Sequence, residues 1–237
     1  MESMKWPRRL VIVRHGLSEQ NVALDLLQED LEGLLRQQKQ IRDADIRLTP
    51  AGHWQAEQTG HYLAGTKPFD ICFSSPYRRT LQTSEGIISQ FPYDVKLYKD
   101  NRLREKEFGR LHGFKAEEIR SQYPEEFEDR RRDGKYWYRL PRGENYPDVE
   151  QRVHGFLDKL ARDYGGKDVL VVTHQVPYKM FRALFEHLDE DGVIALDDVP
   201  NCGMQEYRID TSKIPEGRMR LARFNEIAYD MRDAPDE

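Results

Sequence analysis

Residues 10 to 21 read Leu10-Val11-Ile12-Val13-Arg14-His15-Gly16-Leu17-Ser18-Glu19-Gln20-Asn21. Four aliphatic residues in a row describe a strand buried on both faces. The run stops on a cation, a histidine and a glycine. That is a poor core segment and a good active-site edge, because ligands of α/β sheets bind beyond the carboxyl ends of the strands. Gly16 is expected to permit a sharp turn and the close approach of a ligand. Ser18 and Asn21 offer polar caps for the next element. Taken alone, the stretch also fits a strand that ends in a solvated polar turn.

Around this stretch lies a chain of 237 residues, enough for one large α/β domain, and no Pro/Gly/Ser-rich linker divides it. Hydrophobic residues make up 38% and charged residues 33%, so some segments are expected outside the core. The net charge of -5 argues against a general nucleic-acid binder and makes any local cluster of arginines informative. The two cysteines, Cys72 and Cys202, have neither metal-ligand nor disulfide-framework spacing. A reduced, cytoplasmic compartment is expected. No signal-peptide apolar region and no run of membrane-span length is present, so no membrane partner is expected.

Residues 22–47 are charged, with Leu24, Leu26, Leu27, Leu31, Leu34 and Leu35 near helical spacing. They read as a helical insertion, either a surface helix over the sheet or a lid or docking element. Thr49-Pro50 starts a helix that runs to about Leu63 and ends near Gly65, with Trp54 packing on the sheet. Phe69 to Phe73 is a second strand. Ser75 is expected to cap the next helix and Pro76 to open it, which places Arg78 and Arg79 in the first turn. The helix dipole disfavours cations there, so an anion is expected nearby. Val95 to Tyr98 is a third strand, and Gly109 and Gly113 mark a tight loop. Residues 116–133 read as a charged helix broken at Pro124. The aromatic segment 134–145 reads as a substrate cover or a packed loop. An amphipathic helix spans Asp148 to Tyr164. Asp168 to Thr173 is a fourth strand that again ends on a histidine, His174, and a helix comes next, from Tyr178 to about His187. Residues 203–209 and 219–224 read as late edge strands. The expected fold is therefore α/β, a three-layer α/β/α sandwich with a mostly parallel sheet and an antiparallel edge.

Strand one delivers Arg14 and His15, strand two leads into Arg79, and strand four delivers His174. As parallel neighbours their carboxyl ends would lie side by side. Two arginines and two histidines would then converge on one small anionic group. Arginine suits bidentate contact with phosphate oxygens, so the expectation is a phosphate pocket.

The same residues resemble the motifs of the histidine phosphatase superfamily, also called phosphoglycerate mutase-like. Arg14-His15-Gly16 with Ser18 and Asn21 matches its first motif. Ser75-Pro76 with Arg79, Gln82 and Thr83 resembles the second. Leu103, Glu105, Gly109 and Gly113 resemble the segment that carries the catalytic acid. Arg142-Gly143-Glu144 resembles a Gly-Glu-Ser element, with Asn145 in place of the serine. Thr173-His174 matches the last motif, with Gln175 where glycine is common. The resemblance implies a single domain over 1–237, with the helical insertion at about 22–47 and a cap or loop region at about 114–145. It implies His15 as a nucleophile that becomes phosphorylated, and Arg14, Arg79 and His174 as ligands of the phosphoryl oxygens. Asn21 and Gln175 join them in phosphate binding. Glu105 would protonate the leaving oxygen and then activate water.

The implied activity is a metal-independent phosphomonoester hydrolase of the phosphatase branch, with no cofactor. Its partner would be a phosphorylated small molecule, with phosphoprotein also open. Phosphoglycerate mutase-type transfer is the alternative, with Arg130-Arg131-Arg132 and Arg139 as candidates for a carboxylate or second phosphate. A catalytically weak binding or regulatory member, docking through residues 22–47, is another. Glu107 competes with Glu105 as the acid, and Arg78 with Arg79. A zinc site from His15, His112 and His174 lacks ligand spacing and is opposed by the arginines.

Overall fold

The computed structural model describes residues 5–25, 41–114, 116–212 and 217–235. The strands are β1 (Arg9–Arg14), β2 (Ile71–Ser74), β3 (Leu97–Lys99), β4 (Asp168–Thr173), β5 (Met204–Asp210) and β6 (Arg218–Glu226). They form one sheet in the order β3-β2-β4-β1-β5-β6. β1 and β4, β4 and β2, and β2 and β3 pair in parallel. β5 runs antiparallel to β1, and β6 to β5, which gives the antiparallel edge. The helices are α1 (Glu19–Asp25), α2 (Pro50–Ala64), α3 (Arg78–Ile88), α4 (Ala116–Gln122), α5 (Pro124–Trp137), α6 (Tyr146–Asp163), α7 (Gln175–Glu186) and α8 (Glu190–Ile194).

Successive strand residues point to opposite faces, and here both faces are covered. Leu10, Ile12, Phe73, Val169 and Val171 pack with Val153 and Phe156 of α6 and Phe181 of α7. Val11, Val13, Cys72, Leu170 and Val172 pack with Ala56 and Leu63 of α2 and Ile87 of α3. The unbroken aliphatic runs in β1 and β4 result from this double burial, and the architecture is the three-layer sandwich.

Local chemistry sets the helix ends, with some differences from the sequence reading. α2 begins as expected, with Gly52 N–H donating to Thr49 Oγ1 at 3.0 Å. Trp54 does not pack on the sheet; it stands half-buried, edge-on to Tyr229 at 5.7 Å. α3 begins at Arg78, later than Pro76, and Ser75 is not its cap. α6 begins at Tyr146, earlier than Asp148, because Asn145 and Asp148 form a reciprocal capping box. α7 begins at Gln175, immediately after His174. Of the expected insertion at about 22–47, residues 26–40 lie outside the described residues. Its far end is a 3-10 turn at Asp43–Asp45, and a bridge between Ser18 and Leu48 ties the chain back to the end of β1. In the aromatic segment, Tyr138 and Leu140 are buried with Leu111 and Ile119 in a small separate cluster, while Trp137 is exposed. Among the described residues, no helix is long and apolar enough to cross a membrane.

Candidate active site

The register brings three strand ends together. Arg14 lies opposite Thr173, and Ser74 opposite Val172. His15 N–H donates to Thr173 O at 2.9 Å and Ser75 N–H to Val172 O at 3.1 Å, so the chain leaves all three strands in parallel. Beyond these ends is a cavity of about 220 Å³ lined by Arg14, His15, Asn21, Asp43, Arg79, Glu105 and His112, among others.

His15 is 3% exposed. Its Nδ1 lies 2.8 Å from the Gly16 carbonyl oxygen. A carbonyl only accepts, so Nδ1 carries the hydrogen and Nε2 keeps its lone pair. Arg79 Nε–H donates to that Nε2 at 3.3 Å. Burial first, then the charges of Arg79 and Arg14, hold the imidazole well below its ordinary proton affinity. The ring is therefore neutral at neutral pH, as a nucleophile needs to be.

His174 lies edge-on to His15, with ring centroids 5.1 Å apart, and edge-on to Tyr77 at the same separation. Its Nε2 is 2.8 Å from Ser75 Oγ. Burial, Arg79 and His15 push it well below the usual histidine range as well. Its buried Nδ1 has no partner among the described residues, and neither has Arg14 Nε. Arg14 donates from Nη1 to Val199 O. Arg14 lines the cavity, whereas His174 is not among its lining residues and adjoins it through its edge-on contact with His15.

Gly16 has a different reason from the one its position in the sequence implies. A Cβ at Gly16 would stand 2.5 Å from Gly52 O, and one at Gly52 would collide with Leu17 O. The glycines let α2 close on the backbone that carries His15. Gly16 N–H is then taken by Thr83 Oγ1 at 3.0 Å.

Glu105 is reached through a 3-10 turn at Asn101–Leu103, and Thr173 Oγ1 donates to Leu103 O at 2.7 Å, fixing this loop to the end of β4. Glu105 Oε1 accepts from Lys106 N–H at 2.7 Å and Val176 N–H at 3.2 Å. Burial raises its proton affinity, against the pull of the Lys106 N–H and Arg79. Arg152 braces the loop from α6, with Nη2 donating to Glu105 O at 3.0 Å, Nη1 to Arg102 O at 2.7 Å and Nε to Glu144 Oε1 at 3.0 Å.

The model of the histidine phosphatase superfamily (branch 1) matches residues 10–225. The chain belongs to this superfamily. It is 31% identical over 180 residues to a 6-phosphofructo-2-kinase/fructose-2,6-bisphosphatase of Aquarana catesbeiana, covering 76% of this chain and 33% of that protein. The chain thus spans about a third of the length of that relative. It is 30% identical over 183 residues to phosphoserine phosphatase 1 of Hydrogenobacter thermophilus, covering 74% of this chain and 75% of the relative. Among solved structures, Bacillus stearothermophilus YhfR matches with a TM-score of 0.74 at 24% identity, covering 92% of this chain and 97% of the other. A mycobacterial glucosyl-3-phosphoglycerate phosphatase in complex with inorganic phosphate matches with a TM-score of 0.70 at 23% identity, covering 93% and 98%. At these identities the structural likeness is one of fold.

In this member of the superfamily the competing candidates lie in different places. Arg79 is buried at the cavity and Arg78 is exposed. Glu105 lines the cavity, whereas the Glu107 carboxylate accepts from Gly109 N–H at 3.0 Å and closes its own loop. His112 also lines the cavity. Asn21 lines it too, its Oδ1 accepting from Ser18 Oγ at 2.9 Å and Asn201 Nδ2 at 3.2 Å. Gln175 is the first residue of α7, and its side chain donates to Asp198 Oδ1 at 2.6 Å and accepts from Val199 N–H at 3.2 Å. It lines a neighbouring cavity. Four residues went unmarked in the sequence reading as parts of the site: Asp43 on Arg79, Ser75 on His174, Arg152 behind Glu105, and Asn201, whose Nδ2 also donates to His15 O at 3.1 Å. The serine before Pro76 carried a signal; it was read as a helix cap.

Proposed function

We propose that this chain is a metal-independent phosphomonoester hydrolase that works through a phosphohistidine at His15. The observation that carries the reading is the His15 tautomer, with Nδ1–H committed to Gly16 O and Nε2 directed at the Arg79 donor. In the first step Nε2 attacks phosphorus, the bond to the leaving oxygen breaks, and protonated Glu105 gives that oxygen its proton. In the second, the Glu105 carboxylate takes a proton from water as the water oxygen attacks phosphorus. The P–N bond then breaks and releases inorganic phosphate. Arg14, Arg79 and the Nδ1 of His174 take up the charge that spreads over the phosphoryl oxygens. Arginines thereby supply what a divalent cation supplies elsewhere.

The leaving group would extend toward the neighbouring cavity of about 280 Å³, which adjoins the site through Phe108, Leu111 and Phe114. Lys106, Arg130, Lys135 and Lys179 line it with a single acid, Asp198. Lys106 is 7% exposed, and burial lowers it to about 8, with Arg130 and Lys135 adding to the fall. Asp198 pairs with Lys179 at 3.0 Å, and the positive balance left by Lys106, Arg130 and Lys135 supports a small phosphorylated substrate with a second anionic group. Phosphoserine and fructose 2,6-bisphosphate, named for two relatives, share that property. A reducing, cytoplasmic setting fits the buried free thiols of Cys72 and Cys202, which burial pushes up to about 12.

The test is phosphate release from paired phosphomonoesters, with and without a second anion, in a chelator, comparing wild type with His15→Ala. The panel includes glycerate phosphates with product isomers resolved. Release that depends on His15 and favours the dianionic partner of each pair is expected. Isomerisation without release would make the protein a mutase, and turnover undiminished in His15→Ala would overturn the mechanism.

A further inference from the structure

We infer that Asp43 is a positioning residue, holding the Arg79 guanidinium so that its Nε–Nη2 edge faces His15 Nε2. The inference rests on the phosphohistidine reading above. Arg79 Nη1 is engaged twice by one residue, donating to Asp43 O at 2.6 Å and to Asp43 Oδ1 at 2.8 Å. The guanidinium is planar, and Nε–H and the Nη2 group form one two-donor edge. With Nη1 pinned, that edge is set: Nε–H points at His15 Nε2 across 3.3 Å, and Nη2 stands beside it as the second tooth of a fork for phosphoryl oxygens. The pair is nearly dry, with side-chain exposures of 3% and 13%. An arginine placed in advance loses little freedom when phosphate arrives.

The same carboxylate has an electrostatic role. Asp43 and Glu105 line one cavity, and the negative charge of Asp43 favours the protonated form of Glu105 that the first step uses. The other groups facing Glu105 are Arg14, Arg79, Lys106, Tyr146 and Arg152. Asp43 sits in the 3-10 turn that ends the 22–47 segment. That turn therefore belongs to the reaction centre, whatever else the segment does.

The test measures kcat and KM for an alkyl phosphomonoester, glycerol 3-phosphate, whose leaving oxygen needs a proton, across pH in the full chain, for wild type, Asp43→Ala and Asp43→Asn. Asp43→Ala is expected to lose about tenfold in kcat, as for one hydrogen bond to a charged group. Asp43→Asn recovers most of that, because its amide oxygen still accepts from Nη1. In both variants the limb set by Glu105 moves to lower pH. A merely structural defect would neither be rescued by Asn nor move that limb. The opposite role is a competitor occupying the phosphate's place. A lower KM and tighter inhibition by inorganic phosphate in Asp43→Ala, with kcat undiminished, would overturn the inference. If the wild type hydrolyses no ester, the phosphatase reading fails separately. Calorimetry with inorganic phosphate then decides: weaker binding by Asp43→Ala upholds the positioning role and tighter binding removes it.

Discussion

Arg79 Nε donates to His15 Nε2, so a cation addresses the attacking nitrogen directly. The contact has two effects. It lowers the proton affinity of His15, and it places a donor where a phosphoryl oxygen develops charge. Arg79→Lys keeps a charge and loses the fork, and kcat/KM is expected to fall by roughly a hundredfold. Arg79→Met removes the charge too. The proton affinity of His15 then rises, although burial and Arg14 still hold it below its ordinary range, and the acid limb of the pH–rate profile moves to higher pH than in the wild type. An unchanged acid limb in Arg79→Met would contradict this account.

Burial keeps Glu105 protonated to higher pH than a free carboxyl. Activity limited by the first step should therefore fall as pH rises through that raised value. Glu105→Gln is expected to lose on the order of a hundredfold or more with alkyl phosphates. The loss should be much smaller with p-nitrophenyl phosphate, whose leaving group needs no proton. Equal losses on both substrates would return the acid's role to another group.

Gly16→Ala forces a methyl against Gly52 O and should cost roughly 1–3 kcal/mol of stability, read as a lower denaturation midpoint. The Cβ meets backbone, which has no side-chain rotamer to yield. The same change should lower activity, because relief requires α2 to move from the His15 backbone.

His15 and His174 are buried and titrate below their usual range. Below about pH 6.5 the unfolded chain binds protons at these positions that the native state does not, so their contribution is complete above that value and stability falls as pH drops through it. Glu105, with its raised value, works in the opposite direction. The comparison is therefore between wild type and a His15→Gln/His174→Gln variant: urea midpoints at mildly acid and neutral pH should differ more in the wild type.

The fold was legible wherever burial on both faces wrote an unbroken aliphatic run, as in Leu10–Val13 and Val169–Val172. Site residues at strand ends were legible for the same reason, since the fold class alone says that such ends meet. Residues that only support those ends from distant segments were not. Asp43 reaches Arg79 and Arg152 reaches Glu105 through packing between distant segments, and no local spacing records it. Gln175, placed with the last motif in the sequence, bonds to Asp198 from the first turn of α7, a direction that no local spacing records.

β4 lies between β1 and β2 in the sheet, although α3, β3, α4, α5 and α6 separate it in sequence from β2 and more elements still from β1. His174 follows directly on its end. A nascent chain that has emerged only through α6 has its nucleophile and its arginines but lacks the strand that brings their two supports together. Synthesis thus completes the proposed site only late, and a chain truncated before Asp168 should release no phosphate.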